Sequence, residues 1–112
     1  MSLRHGDVVW VNLDPVIGSE VGKARPAVVV QNDLANRSSP TVTIVPISTS
    51  TERVFPFQVR IPAGEGGLTR VSKALCEQVR TVSRERLGER LGQLSRDRMG
   101  EIRAALDRHL WF

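Results

Sequence analysis

Apolar positions in this chain fall into short runs and period-two alternations as far as residue 94, after which their spacing becomes helical. Asp7-Val8-Val9-Trp10-Val11-Asn12-Leu13 is rich in β-branched and aromatic residues and reads as a first strand, ended by Asp14-Pro15. Ala27 to Gln31 reads as a second strand, and its consecutive apolar residues predict that both faces are covered and that the strand is central. Thr41 to Ile47 alternates as a third strand, in which Pro46 predicts an edge or a bulge because it cannot donate to a ladder. Val54 to Ile61 predicts a fourth strand, followed by the turn Pro62-Ala63-Gly64-Glu65-Gly66-Gly67. Leu75 to Val82 predicts a fifth, with Gln78 and Arg80 on the face opposite Val79.

Ser83 is placed to cap a short helical turn through Leu87, and Gly88 and Gly92 bracket a further short strand at Glu89-Arg90-Leu91. The segment Asn32 to Pro40 is a turn-rich loop without apolar periodicity, long enough for a half-ordered turn of helix. The clearest helix comes last: Ser95 is its N-cap, Asp97 lies in the first turn, and Met99, Ile102, Leu106 and Leu110 form one apolar face. Arg96, Arg98, Arg103 and Arg108 fall off that stripe as a solvated basic face, and the aromatics of Leu110-Trp111-Phe112 read as tucked into the core or a dimer interface. The expected fold is α+β, mainly β: a strongly bent sheet or half-open barrel with a C-terminal helix packed against it.

At 112 residues the expectation is a single domain spanning 1–112, with 40% hydrophobic and 25% charged residues, as in ordinary globular proteins. No apolar run approaches membrane length, and no secretory h-region follows Met1, so a cytoplasmic location is expected. The single Cys76 agrees, since it has no internal partner for a disulfide. A net charge of +4 and a pI of about 10.5 permit a polyanionic partner. Residues 1–50 are balanced with four basic and four acidic side chains, so the whole excess lies in residues 51–112, with twelve basic and eight acidic. Fourteen of the sixteen cations are arginine, which fits either a compositional habit or phosphate binding.

The chemistry narrows quickly. His5 and His109 lie at opposite ends and no carboxylate cluster has ligand spacing, so no metal site or cofactor is expected. A Ser-His-Asp hydrolase lacks a nucleophile elbow, and Gly64-Glu65-Gly66-Gly67 lacks the context of a phosphate-binding loop. What remains is the stretch from Asp14 to Pro26, a loop of about a dozen residues of the length that is commonly functional. It carries Glu20, Lys23 and Arg25, with Arg25 held extended by Pro26 at the entry to a buried strand. An arginine binds phosphate through parallel hydrogen bonds and stabilises the charge that builds on a phosphorane. RNA supplies its own nucleophile, the 2′-OH, so one option among several is a metal-free ribonuclease. In it Arg25 neutralises the phosphorane, a hydroxyl from Ser48 or Thr49 orients the phosphate, and Glu20 either takes a proton or locks the arginine.

The segment from Arg4 to Pro15, then Gly18-Ser19-Glu20, Arg25-Pro26 through Asn32-Asp33, Val45-Pro46-Ile47-Ser48, Pro56-Phe57 and Glu77 to Val82 closely resembles the MazF/PemK (Kid-type) family of toxin endoribonucleases, in order over nearly the whole chain. The resemblance implies a compact PemK-like, Src-homology-like barrel acting as a homodimer without cofactor or metal. It implies cleavage of single-stranded RNA, commonly leaving a 2′,3′-cyclic phosphate and a 5′-hydroxyl, and neutralisation by an acidic MazE-like antitoxin. The family's catalytic arginine falls on Arg25, its strand-end hydroxyl on Ser48 with Thr49 as the neighbour, and its loop glutamate on Glu20. RNA contacts are expected from Ile17, Ser19 and Lys23 in the loop, from Asn32, and from Gln78 and Arg80. Ser48 departs from the threonine of many relatives; it keeps the hydroxyl and loses the methyl that restricts its rotamer. Two rivals differ in class: a gyrase-inhibiting CcdB-like toxin of similar fold, which needs an aromatic C-terminal end, and a noncatalytic RNA-binding barrel.

Overall fold

The computed structural model describes residues 2–111. The strands are β1 (Asp7–Asn12), β2 (Ala24–Val29), β3 (Thr41–Ser48), β4 (Gln58–Ile61), β5 (Ser72–Leu75), β6 (Arg80–Ser83) and β7 (Leu87–Gln93), and the helices are α1 (Asp33–Ser38) and α2 (Arg96–Leu110). All pairings are antiparallel, in the order β4-β5-β3-β2-β1-β7 with β6 also beside β3. The ends of this order do not pair, so the sheet curls into a half-open barrel with α2 packed against it, as the apolar pattern predicts.

Period-two alternation divides the core into two layers. Val8, Val28, Val45 and Ile47 point to one side and meet Ile102 and Ala105 of α2. Val9, Val11, Ala27, Val29, Val42, Ile44 and Val82 point to the other and close a second cluster with Leu3 and Leu13. Ala27, Val28 and Val29 are fully buried between these layers, as expected of a central strand. At ~25 cal/mol per Å² of apolar surface removed from water, this double burial of one sheet is the main force holding the strand in place.

Pro46 lies neither on an edge strand nor at a bulge of the β2–β3 ladder. Its strand pairs with β2 through Ala27↔Pro46, with β6 from Thr41 to Ile44, and with β5 at Ile47 and Ser48. Pro46 thus falls in the gap where β3 changes partner, a place that asks for no ladder donor on that side. The same switch corrects the expected single strand over Leu75 to Val82. It is two strands, β5 and β6, separated by a 3₁₀ turn at Cys76–Gln78 that steps the chain across the gap. Gln78 therefore lies in a turn and does not share a strand face with Arg80.

Other boundaries shift for local reasons. β2 begins at Ala24, so Arg25 and Pro26 lie inside the strand. β4 begins only at Gln58, because its backbone N–H bonds the Phe55 carbonyl at 2.8 Å and its side chain takes the Phe55 N–H at 3.1 Å, closing a turn around Pro56. Residues 33–38 form a real helix, built by capping: Asn32 Oδ1 accepts from the Ala35 N–H at 2.9 Å, and buried Asn36 donates to the Gln31 carbonyl at 3.0 Å. Ser83 caps a 3₁₀ turn at Arg84–Arg86, as expected. The short strand expected at Glu89 to Leu91 extends over Leu87–Gln93 through both glycines; a Cβ on Gly92 would lie 2.5 Å from the Gly66 carbonyl carbon, so glycine admits that close crossing.

Helix α2 follows its predicted cap, with Ser95 Oγ accepting from the Arg98 N–H at 3.1 Å. Arg98 is not part of a solvated face: it pairs with Glu65 at 3.1 Å and Glu101 at 2.8 Å, tying the first turn of α2 to the turn at Glu65–Gly67. Trp111 is 78% exposed and so is not tucked into this protomer's core; Phe112 lies outside the described residues. No helix among the described residues is long and apolar enough to cross a membrane.

Candidate active site

β2 emerges from the core at its first two residues. Ala24 is exposed and Arg25 half-buried, whereas Ala27 is fully buried two positions on. Arg25 pairs with Val11 of β1 and lies on the same face as Ala27 and Val29. The β2–β3 ladder stops at Ala27↔Pro46. Continued by two residues, that register makes Arg25 and Ser48 the next positions on the same face, just beyond the last paired residues. Arg25 and Ser48 thus both follow the end of this ladder, on neighbouring strands and on one face. Thr49 alternates to the opposite face, where it lines a cleft of about 320 Å³ with Trp10, Pro26, Leu68, Arg70 and Leu91.

The Arg25 guanidinium is aimed by its own chain. Its Nε donates to the Gly22 carbonyl at 3.0 Å, and among the described residues its two terminal amino groups have no protein partner and no carboxylate forms an ion pair with it. A guanidinium tethered through Nε offers both terminal groups to a planar anion. Ser48 Oγ accepts from the Ser50 N–H at 3.1 Å, which leaves the hydroxyl proton available for donation.

Of the two roles expected of Glu20, locking the arginine is not seen: among the described residues it makes no ion pair with Arg25. Its Oε1 accepts the Ile17 N–H at 2.7 Å, and its N–H returns to the Ile17 carbonyl at 3.3 Å, so the carboxylate closes the loop tip upon itself. Ile17 is 85% exposed there, with Ser19 also exposed. Lys23, at the second foot of the loop, is exposed and has a left-handed backbone with φ of 63°.

Arginines from the distant β6 and its following turn grip the first foot. Arg80 Nη1 reaches the Leu13 carbonyl at 3.4 Å, while Arg86 Nη1 donates to the carbonyls of Asn12 at 3.1 Å and Asp14 at 2.5 Å. The feet are joined by the Leu13 N–H to the Lys23 carbonyl at 3.0 Å and by the Lys23 N–H to Asp14 Oδ1 at 2.7 Å. Arg80 therefore belongs to the loop base near Arg25. Gln78, half-buried in its turn, lies across the gap at Pro46, two residues along β3 from Ser48. Asn32 is not brought to this neighbourhood: it follows the far end of β2, roughly 20 Å from Arg25 at ~3.3 Å per residue, and its oxygen caps α1.

Sequence reasoning passed over Asp14, Gly22 and Arg86. Asp14-Pro15 reads as a strand ending, and nothing in residue type announces that Arg86 will bind carbonyls more than seventy positions away.

Comparison with known proteins adds a second line of evidence. A family model described as PemK-like, MazF-like toxin of type II toxin-antitoxin system matches residues 4–110. Endoribonuclease MazF9 of Mycobacterium tuberculosis is 39% identical over 113 residues, covering 96% of each chain. The crystal structure of MazF (Form-I) from Deinococcus radiodurans superposes with a TM-score of 0.86 at 28% identity, covering 100% of this chain and 99% of that one. A MazE-MazF crystal structure (Form-II) from the same organism gives a TM-score of 0.79 at 28% identity, over 98% and 96% of the two chains.

Proposed function

The chain belongs to the PemK-like, MazF-like toxins of type II toxin-antitoxin systems, and on that premise we propose that it is an endoribonuclease cutting single-stranded RNA at the opening between Arg25 and Ser48. The observation that carries the reading is the guanidinium of Arg25, tethered through Nε and with both terminal amino groups unpartnered among the described residues, on the strand beside the one that ends in the Ser48 hydroxyl.

In the proposed reaction the ribose 2′-oxygen attacks the adjacent phosphorus as its proton leaves, and the P–O5′ bond breaks as the 5′-oxygen gains a proton. The products are a 2′,3′-cyclic phosphate and a 5′-hydroxyl. Arg25 holds two non-bridging oxygens and stabilises the extra charge of the phosphorane, a task that suits a planar, cationic fork of N–H donors. Ser48 donates its hydroxyl to the phosphate and fixes its orientation. This route asks nothing of a metal ion. Ile17, Ser19 and Lys23 on the loop and Gln78 beside the strand gap are the RNA contacts nearest the scissile phosphate. Arg80 adds positive potential at the loop base, and Asn32 is suited to a remote part of a bound strand.

The MazE-MazF assembly of the Deinococcus relative supports an antitoxin as the protein partner, and the net charge of +4 favours one with an acidic segment. A homodimer acting in the cytoplasm on mRNA completes the proposal. A CcdB-like action on gyrase uses an aromatic C-terminal end, and Trp111 is exposed, yet that reading assigns no role to the Arg25–Ser48 pair.

The test is incubation of purified protein with long single-stranded RNA in EDTA, followed by sequencing of fragment 5′ ends. Recurrent cuts at a short sequence, abolished by a 2′-deoxy residue at the scissile position, are expected. Intact RNA, or continued cutting of the deoxy substrate, overturns the activity or the mechanism respectively. Inhibition of gyrase supercoiling without RNA cleavage would favour the rival.

A further inference from the structure

We propose that Asp14 is a positioning residue that aims Arg25 through the peptide unit joining Gly22 to Lys23; the inference rests on Arg25 being the phosphate-binding cation. That one peptide is held from both ends. Its N–H, on Lys23, donates to Asp14 Oδ1 at 2.7 Å, and its carbonyl, on Gly22, accepts from Arg25 Nε at 3.0 Å. A peptide unit is planar, so the carboxylate that fixes the direction of the N–H also fixes the direction of the C=O. The guanidinium takes its orientation from that carbonyl.

Other features of the loop converge on the same unit. Asp14 is itself immobilised: its N–H bonds Asn12 Oδ1 at 3.1 Å, and its carbonyl receives Arg86 Nη1 at 2.5 Å. Lys23 sits at a φ of 63°, a conformation that a non-glycine residue adopts only when its surroundings hold it there. At Gly22, an added Cβ would lie 2.6 Å from Asp14 Oδ1, so only glycine leaves the carboxylate room to reach the next N–H. Charge on Asp14 strengthens the bond to Lys23 and places no anion against the Arg25 terminal groups, since the peptide stands between them.

The experiment has two readouts. In steady-state RNA cleavage, Asp14→Ala is expected to lower kcat by about 100-fold, the scale of a misdirected catalytic group, while KM moves by less than about threefold. Asp14→Asn, which keeps an acceptor oxygen, restores most of kcat. In an Arg25→Ala background, Asp14→Ala costs nothing further, because its effect is routed through the missing guanidinium. The second readout needs no RNA: the Arg25 Nε–H resonance, resolved from the bulk arginine position in the wild type and in Asp14→Asn, collapses onto it in Asp14→Ala. If Asp14→Ala does not fold, Gly22→Ala, which drives the carboxylate away, replaces it in both arms. Unchanged kcat, additive losses in the double variant, or an unmoved Arg25 resonance overturns the proposal. Absence of any RNA cleavage alongside the expected shift in the resonance would instead overturn the ribonuclease reading alone.

Discussion

Glu20 Oε1 lies 2.7 Å from the Ile17 backbone nitrogen and accepts its proton, so the loop glutamate serves the shape of the loop tip. The amide oxygen of glutamine accepts the same bond. Glu20→Gln is therefore expected to keep cleavage within about threefold of wild type, a loss well below the ~100-fold or more that removing a general base costs. Single-turnover rates at saturating enzyme provide the check, and a loss of two orders of magnitude would return Glu20 to proton transfer.

Arg25 and Ser48 carry the opposite expectation. In the proposed mechanism Arg25→Ala removes the charge that stabilises the phosphorane and should lower kcat by about 100- to 1,000-fold, the usual cost of losing one such donor. Ser48→Ala should fall in the same direction, whereas Ser48→Thr retains the hydroxyl and stays active. Circular dichroism should be unchanged in all three, since these groups lie where the strands leave the core.

Cys76 offers a test of the core independent of RNA. Burial, with Glu77 beside it, pushes its thiol up to about 12, so no thiolate forms at neutral pH. Thiol reagents should leave the native protein unlabelled and react quantitatively once denaturant unfolds it. Rapid labelling under native conditions would contradict the packing of the turn that carries Gln78.

Asp33 predicts an acid limb in stability. The His5 backbone N–H, at 2.7 Å, and Asn36 hold its carboxyl below the ordinary value of 3.8. A lowered folded value means that the unfolded chain binds the proton first. The contribution is complete above the ordinary value and disappears as pH falls through the lowered one. Urea denaturation should show wild type more stable than Asp33→Asn at pH 7, with the gap closing as the pH is taken progressively below the ordinary value of 3.8. A gap that widens on acidification would reverse the sign.

How much of this was legible beforehand depends on which atoms do the work. The place of Arg25 at the start of a buried strand could be read from residue type alone, because Pro26 and the apolar run after it announce such an entry. Ser95 and Ser83 could also be read as caps, since a serine hydroxyl before a helical segment can accept from its free N–H groups. Helix α1 was legible only as a half-ordered turn of helix, because Asn32 and Asn36 build it through side-chain bonds to backbone, without an apolar face. The break between β5 and β6 was invisible in the period of residues 75–82; its cause lies on another strand, where Pro46 marks a change of partner. Asp14 and Arg86 act on backbone N–H and carbonyl groups, and such partners leave no signature in composition or spacing.

One strand joins two regimes of stability. The amides of Ala27, Val28 and Val29 have no solvent exposure and should exchange with deuterium only on global unfolding, while those of the loop tip around Ile17 exchange through local opening. The border falls at Pro26, which has no amide proton at all. The loop can thus open and close with the free energy of folding untouched, so the proposed entry and release of an RNA strand would draw on motion that the rigid β-structure does not share.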